Sequence, residues 1–129
     1  MTIQIYDTLT GKKRSFQSII DGQIGIYVCG MTVYDRCHLG HGRVMVVFDL
    51  ITRYLRFRGF EVTYVRNITD VDDKIFARAR DLNIHFSELT DEMIEAMHQD
   101  ESRLGCRVPD FEPRATANID LMIQLIFLF

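Results

Sequence analysis

This chain is poor in cysteine, and the number it has is odd. Three Cys, with no basic start and apolar stretch ahead of a small-residue cleavage site, exclude a disulfide scaffold and predict a reduced, cytoplasmic protein. It also lacks a span-length apolar run. The longest one, 121–129, falls far short of the roughly 20 residues a membrane helix needs, so no membrane partner is expected. Hydrophobic residues make up 47% and charged residues 26%, a balance that excludes collagen-like and disordered classes. Internal repeats and low-complexity linkers are lacking as well. At 129 residues there is room for one domain and one core. The chain stops inside its apolar run with no cap, Gly, Pro or charged tail to close it. That end is expected to be helix surface awaiting a partner, either a second copy or further chain.

What is present is uneven. The net charge is −3, yet residues 36–66 carry six Arg against two acids, a surplus of +4. Residues 67–101 carry three basic residues against ten acids, a balance of −7. Guanidinium donors match phosphate oxygens in a fixed fork, so the Arg block suits either phosphate or a solvated helix face.

Ile3–Tyr6 reads as a short strand, and Thr10–Lys13 as a turn into a second. Gly25–Cys29 is a β-rich run ending at Gly30, expected to be a buried strand. From Gly42 to Arg58 the residues Val44, Val47, Phe48, Ile51, Tyr54 and Leu55 fall on one helical face, with Gly59 as the stop. Residues 60–68 alternate and predict the next strand. The result is a β–loop–α–β core over about 24–68, of the kind that joins parallel strands and binds ligands at their carboxyl ends. A helical region over about 71–127 follows. Its expected parts are a helix from Val71 to Leu82 capped by Thr69 or Asp70, and one capped by Ser87 that buries Leu89, Met93, Met97 and Leu104. A last helix opens near Pro113, with Ile119, Met122, Ile123 and Ile126 on one face.

The chemistry concentrates in 27–43, YVCGMTVYDRCHLGHGR. His38 and His41, three apart, lie on one side of a helix's first turn, beside backbone N–H groups and a dipole that favour an anion. Imidazole N–H groups add donors without a permanent charge, and Gly40 and Gly42 let a flat base or phosphate approach the backbone. The loop is suited to a nucleotide. Cys29 reads by itself as a small buried hydrophobe, and Cys106 as structural. Cys37 beside His38 invites a metal reading with Cys29 and His41, against which stands the need for ligands to converge. His85 and His98 read as solvent-facing. Asp70, Asp72 and Asp73 suit helix capping more than metal, and Arg53, Arg56 and Arg58 suit either nucleic-acid phosphate or solvent.

His38-Leu39-Gly40-His41 resembles the HIGH motif of class I aminoacyl-tRNA synthetases, with Leu at the second position. Together with YVCGMTVYD before it, FDLITRYLRFRGFEVTYVRNITDVDDKI after it and DFEPRAT further on, the chain resembles the cysteinyl-tRNA synthetase family from about Ile3 to Ile126. The cysteine ligase of mycothiol biosynthesis shares several of these elements, but has Pro where this chain has Val33. A remnant that binds nucleotide without catalysis is a further alternative.

The resemblance implies an α/β fold, the N-terminal portion of a Rossmann-like class I catalytic domain, with a parallel sheet, flanking helices and then a helical segment. Residues 1–129 would form a single partial domain. It also implies ATP-dependent activation of L-cysteine to cysteinyl-adenylate and transfer to tRNA(Cys). In that scheme His38 and His41 act on the ATP phosphates with Mg2+, and Met31, Thr32, His38, Gly40 and His41 hold ATP. Cys29, Gly30, Thr32 and Thr69 meet the amino acid. Cys29 also serves as a Zn2+ ligand, because a thiol-selective metal would separate cysteine from serine. The remaining zinc ligands, the KMSKS loop and the anticodon-reading helices would lie beyond residue 129, and this stretch alone is expected to be inactive.

Overall fold

The computed structural model describes residues 3–128. Two short strands, β1 (Gln4–Asp7) and β2 (Lys12–Ser15), form an antiparallel hairpin whose turn uses Gly11 at φ +65°. The chain then enters β3 (Gln23–Val28), crosses through helix α1 (Leu39–Phe57) and returns as β4 (Glu61–Arg66), parallel to β3 from Gln23 opposite Glu61 to Val28 opposite Arg66. Helices α2 (Asp73–Leu82) and α3 (Phe86–Arg103) follow, then a 3-10 turn (Thr116–Asn118) and α4 (Ile119–Ile126). The β–loop–α–β unit expected from the hydrophobic pattern is therefore present.

One face of the parallel pair is buried and the other is not. Ile24, Val28, Val62, Tyr64 and Arg66 are buried, whereas Gly25, Tyr27 and Thr63 are exposed. This corrects the expectation of a fully buried strand at Gly25–Cys29, and with it the reading of Cys29 as buried, since Cys29 is exposed. The far edge of β4 is covered by an extended segment: Arg66 N–H and Ile68 N–H donate to the carbonyls of Phe111 and Pro113, and Ala115 N–H to that of Ile68. Pro113, expected to open a helix, lies in this segment. A residue without an N–H sits well in an edge-pairing strand, and the helix begins later.

The main core joins Met45 of α1, Ile68, Ile75 and Ala79 of α2, and Leu89, Met93, Ile94 and Met97 of α3 around fully buried Val33. A smaller cluster places Leu55 against Ile24 and Val62. On α1 the buried line is Met45, Thr52 and Leu55, while Val44, Val47, Ile51 and Tyr54 of the expected face are exposed. The apolar stripe of α1 is wider than the surface it covers. Leu104 too is exposed, beyond the α3 line of Leu89, Met93 and Met97, and every residue of α4 is exposed.

Helix starts differ from expectation by a few residues, for local reasons. Asp72, not Thr69 or Asp70, caps α2, accepting from Lys74 N–H at 2.9 Å. Asp70 is buried and accepts instead from the backbone and hydroxyl of Thr116. The α3 cap is His85 rather than Ser87, its Nδ1 accepting from Ser87 N–H. Gly59 ends α1 at φ +89°, as the pattern predicted.

Candidate nucleotide site at the strand ends

The two parallel strands do not end cleanly. Val28 stands opposite Arg66, but the next paired residues are Thr32 and Thr69. Four residues on the β3 side thus match three on the β4 side. The pairing resumes with Val33 N–H donating to Thr69 O and Thr69 N–H to Met31 O. This is a bulge, the device that re-aims side chains beside functional sites. Cys29, Gly30 and Met31 are the residues it displaces. Gly30 is required there by space, because a Cβ on it would lie 1.6 Å from the carbonyl oxygen of Asn67. The bulged loop, Arg66 and the start of α1 enclose a cavity of about 340 Å³, lined by Cys29, Gly30, Met31, Thr32, His41 and Met45 among others. A hollow of about 760 Å³ runs along the outer side of β3. It is larger, but its lining is mostly aliphatic and aromatic, with no basic side chain or imidazole among its residues. The smaller cavity lies where ligands meet parallel strands, and we assign the site there.

The start of α1 is built by its histidines. His38 is the N-cap in extended backbone, and its Nδ1 accepts from Gly40 N–H at 3.1 Å. His41 Nδ1 in turn accepts from His38 N–H at 3.3 Å, which completes a reciprocal cap. This pulls the helix start to Leu39, three residues before the position its hydrophobic pattern marks. The rings stack with centroids 3.8 Å apart and planes 18° from parallel. With both Nδ1 atoms accepting, each neutral ring carries its proton on Nε2, so the pair presents two N–H donors. A Cβ on Gly40 would press to 2.8 Å from His38 Cε1, so a side chain there would push that ring out of its capping position. One of the first-turn backbone N–H groups, that of Gly40, is thus taken by His38. The imidazoles replace it as the donors.

Burial, and then the neighbouring His38, lower the His41 pKa from its ordinary value. The unfolded chain therefore binds that proton more tightly than the native one, and stability falls as pH drops below about 6.5, the ordinary histidine value. Lowering the pH from 7.5 to 5.5 is expected to reduce the urea midpoint of the chain, and His41→Gln should flatten that dependence. An equal decline in both proteins would show that the cap is not the titrating element.

Of the other expected site residues, His38 and Gly40 are exposed at the helix start, outside the cavity wall. Thr69 is half-buried and joined to Thr32 through backbone rather than lining the cavity. Cys37 turns away: its Sγ contacts Met31 Sδ at 3.4 Å, and burial, then the charge of Asp100, push its thiol pKa up. Burial also raises that of Cys106. Neither is poised as a thiolate. Among the described residues, no group of three or more His, Cys, Asp or Glu converges in a way that could hold a metal ion. Cys29 offers one thiol, whereas a catalytic zinc takes three protein ligands. The residues present do not amount to a zinc site by themselves.

The Arg block is largely structural. Arg53 pairs with Asp49 and bonds Gly105 O, Arg56 pairs with Asp110 and bonds Val62 O, and Arg58 bonds the Tyr54 hydroxyl. Arg66, whose side chain is only 4% exposed, forms a two-pronged pair with Glu101 at 2.7 and 2.9 Å and also meets Glu112. Glu112 in turn meets His98 Nε2 at 2.5 Å, so His98 faces solvent in part, as expected, and also closes the rim of this cluster. Burial by itself would lower the Arg66 pKa, but Glu101 and Glu112 outweigh it and hold the guanidinium protonated. Sequence reasoning missed this cluster, which draws on three distant segments. It also left Asn67 without a role, although an Asn at a strand end opposite a Gly was a visible signal.

Parallel strands, a bulged strand end and a helix start capped by two histidines define a class of protein, the α/β unit with its candidate site at the carboxyl edge of the sheet. Comparison narrows the class. Residues 15–128 match the model of the family described as tRNA synthetases class I (C) catalytic domain, and the chain belongs to that family. It is 58% identical to a cysteine–tRNA ligase of Chromohalobacter salexigens, 59% to one of Halorhodospira halophila and 57% to one of Marinobacter nauticus. Each match covers 124 residues, 96% of this chain and 27% of the relative. The chain thus spans about a quarter of the length of these relatives. No helix among the described residues is long and apolar enough to cross a membrane.

Proposed function

We propose that this chain is the N-terminal part of the catalytic domain of a cysteine–tRNA ligase, the part that receives ATP and one side of the amino acid. The observation that carries the reading is the reciprocal cap of His38 and His41, which commits both Nδ1 atoms as acceptors and so makes Nε2 the N–H donor of each neutral ring, at a helix start beside the carboxyl ends of parallel strands. Such donors suit phosphate oxygens in a reaction that asks for positioning and charge stabilisation rather than a protein nucleophile. High identity to cysteine–tRNA ligases over nearly the whole chain supports the same reading.

In that role His38 and His41 hold the phosphates of Mg2+-bound ATP, Gly40 gives the approach, and Met31 and Thr32 border the nucleotide. Cys29, Gly30, Thr32 and Thr69 face the amino acid. Cys29 is one ligand of a zinc site whose others come from outside this stretch, and tRNA(Cys) receives the cysteinyl group in the whole protein. The identity to cysteine–tRNA ligases favours a synthetase over a mycothiol-type ligase, and a cytoplasmic location follows from that role in translation.

Equilibrium dialysis with labelled ATP and Mg2+ tests the site directly. The wild-type chain is expected to bind, and His38→Ala or His41→Ala to weaken binding about tenfold, the worth of one hydrogen bond to a charged group. Unchanged affinity in both variants would remove the histidines from the phosphate site. The same chain is expected to show no cysteine-dependent pyrophosphate exchange on its own, because it supplies a single zinc ligand. Robust exchange at stoichiometric zinc would overturn that expectation.

A further inference from the structure

At the bulge, the backbone of Gly30 loses its rung in the parallel ladder, and a side chain takes its place. Gly30 N–H donates to Asn67 Oδ1 at 2.9 Å, and Asn67 Nδ2 donates to Thr69 Oγ1 at 3.2 Å. The orientation of this carboxamide is fixed by chemistry. An N–H can only donate, so the oxygen faces Gly30 and the nitrogen must face Thr69. We propose that Asn67 is the positioning residue of the site: it holds Gly30, and through it the direction of Cys29, while engaging the Thr69 hydroxyl as an acceptor. The importance of Asn67 rests on the reading of this loop as the amino-acid side of the site; its geometry does not.

Three features support the assignment. The bulge has no slack, since the Asn67 carbonyl lies where a Gly30 Cβ would be. Asn67 is half-buried, so its hydrogen bonds compete less with water than surface ones do. Its two partners lie on the two strand ends that frame the cavity, so one side chain ties both. By accepting from Asn67, the Thr69 oxygen keeps its own hydrogen for an acceptor other than Asn67.

Amide hydrogen exchange on the 129-residue chain, read by nuclear magnetic resonance, tests the proposal. Asn67→Ala should speed exchange at Gly30 roughly tenfold, the loss of one hydrogen bond, and change the rate at which iodoacetamide alkylates Cys29 at least threefold. The core amides of Ile75 and Met97 should keep their protection. Asn67→Asp retains an acceptor for Gly30 and should restore its protection, and Thr69→Val should leave Gly30 as in the wild type. A general loss of protection, or an unchanged Gly30 in Asn67→Ala, would overturn the positioning role. If the alanine variant does not fold, Asn67→Asp decides: a protected Gly30 supports the role and an unprotected one refutes it. ATP binding by the wild-type chain is measured separately. A chain that shows this exchange pattern yet binds no ATP loses the functional reading and keeps Asn67 as the residue that fixes the bulge.

Discussion

Arg66→Met is expected to destabilise the chain by about 3–5 kcal/mol, the usual cost of removing one partner from a buried ion pair. The reason is the company Arg66 keeps. Its side chain is 4% exposed, that of Glu101 3% and that of Glu112 13%, so loss of the guanidinium leaves two carboxylates away from water, with only the His98 ring beside Glu112 at the edge. Methionine fills much of the volume, which makes the loss electrostatic rather than a cavity effect. Urea unfolding at pH 7 measures it. The triple variant Arg66→Met, Glu101→Gln, Glu112→Gln should recover part of the loss, because no unpaired buried charge remains. A single variant within 1 kcal/mol of wild type would show that water reaches the cluster. Arg66 also walls the strand-end cavity, so the single variant should lose ATP affinity along with stability.

Gly30→Ala is the second large effect expected, about 3 kcal/mol and at the upper end of over-packing penalties. The added methyl would sit 1.6 Å from Asn67 O and 2.8 Å from its carbonyl carbon. These are backbone atoms of the adjacent strand end and cannot turn aside as a side chain would. The two strand ends must separate, which breaks the Gly30–Asn67 bond and the pairing between Thr32 and Thr69. Gly25→Ala, in the same β3, is the control. Nothing lies within 4 Å of a Cβ there, and its midpoint should move little. Thermal unfolding of the two variants side by side checks the contrast, and equal shifts would mean that the bulge is not as tight as its geometry.

Much of the candidate site was legible in the sequence because it is local. His38 and His41 cap one helix turn through bonds spanning two and three residues, and a three-residue spacing is enough to foresee that both rings share a side. The β–α–β order follows from an alternating segment, a helical stripe and a β-branched run, each shorter than 20 residues. The departures from the expected structure are also local in kind. Hydrophobic periodicity locates α1 but cannot tell which part of a broad apolar stripe meets the sheet, so Val44, Val47, Ile51 and Tyr54 share the expected face with Leu55 and yet stay exposed. Capping went to Asp72 and His85 because a cap depends on backbone direction at one residue, which composition does not encode.

The amino-acid sequence by itself determined the class of fold, the loop of the candidate site and the two histidines at its end, since all of these depend on neighbours within a few positions. Only the tertiary structure decided which residues hold that loop in place. Asn67 meets Gly30 across 37 positions, Arg66 meets Glu101 across 35 and Glu112 across 46. Bonds over such separations depend on strand register and on how α3 packs against the sheet, and neither is written in any short stretch of chain. The exposure of Cys29 has the same origin. Alternation would have turned it inward or outward according to a regular ladder, and a single extra residue in the parallel pairing set its direction instead.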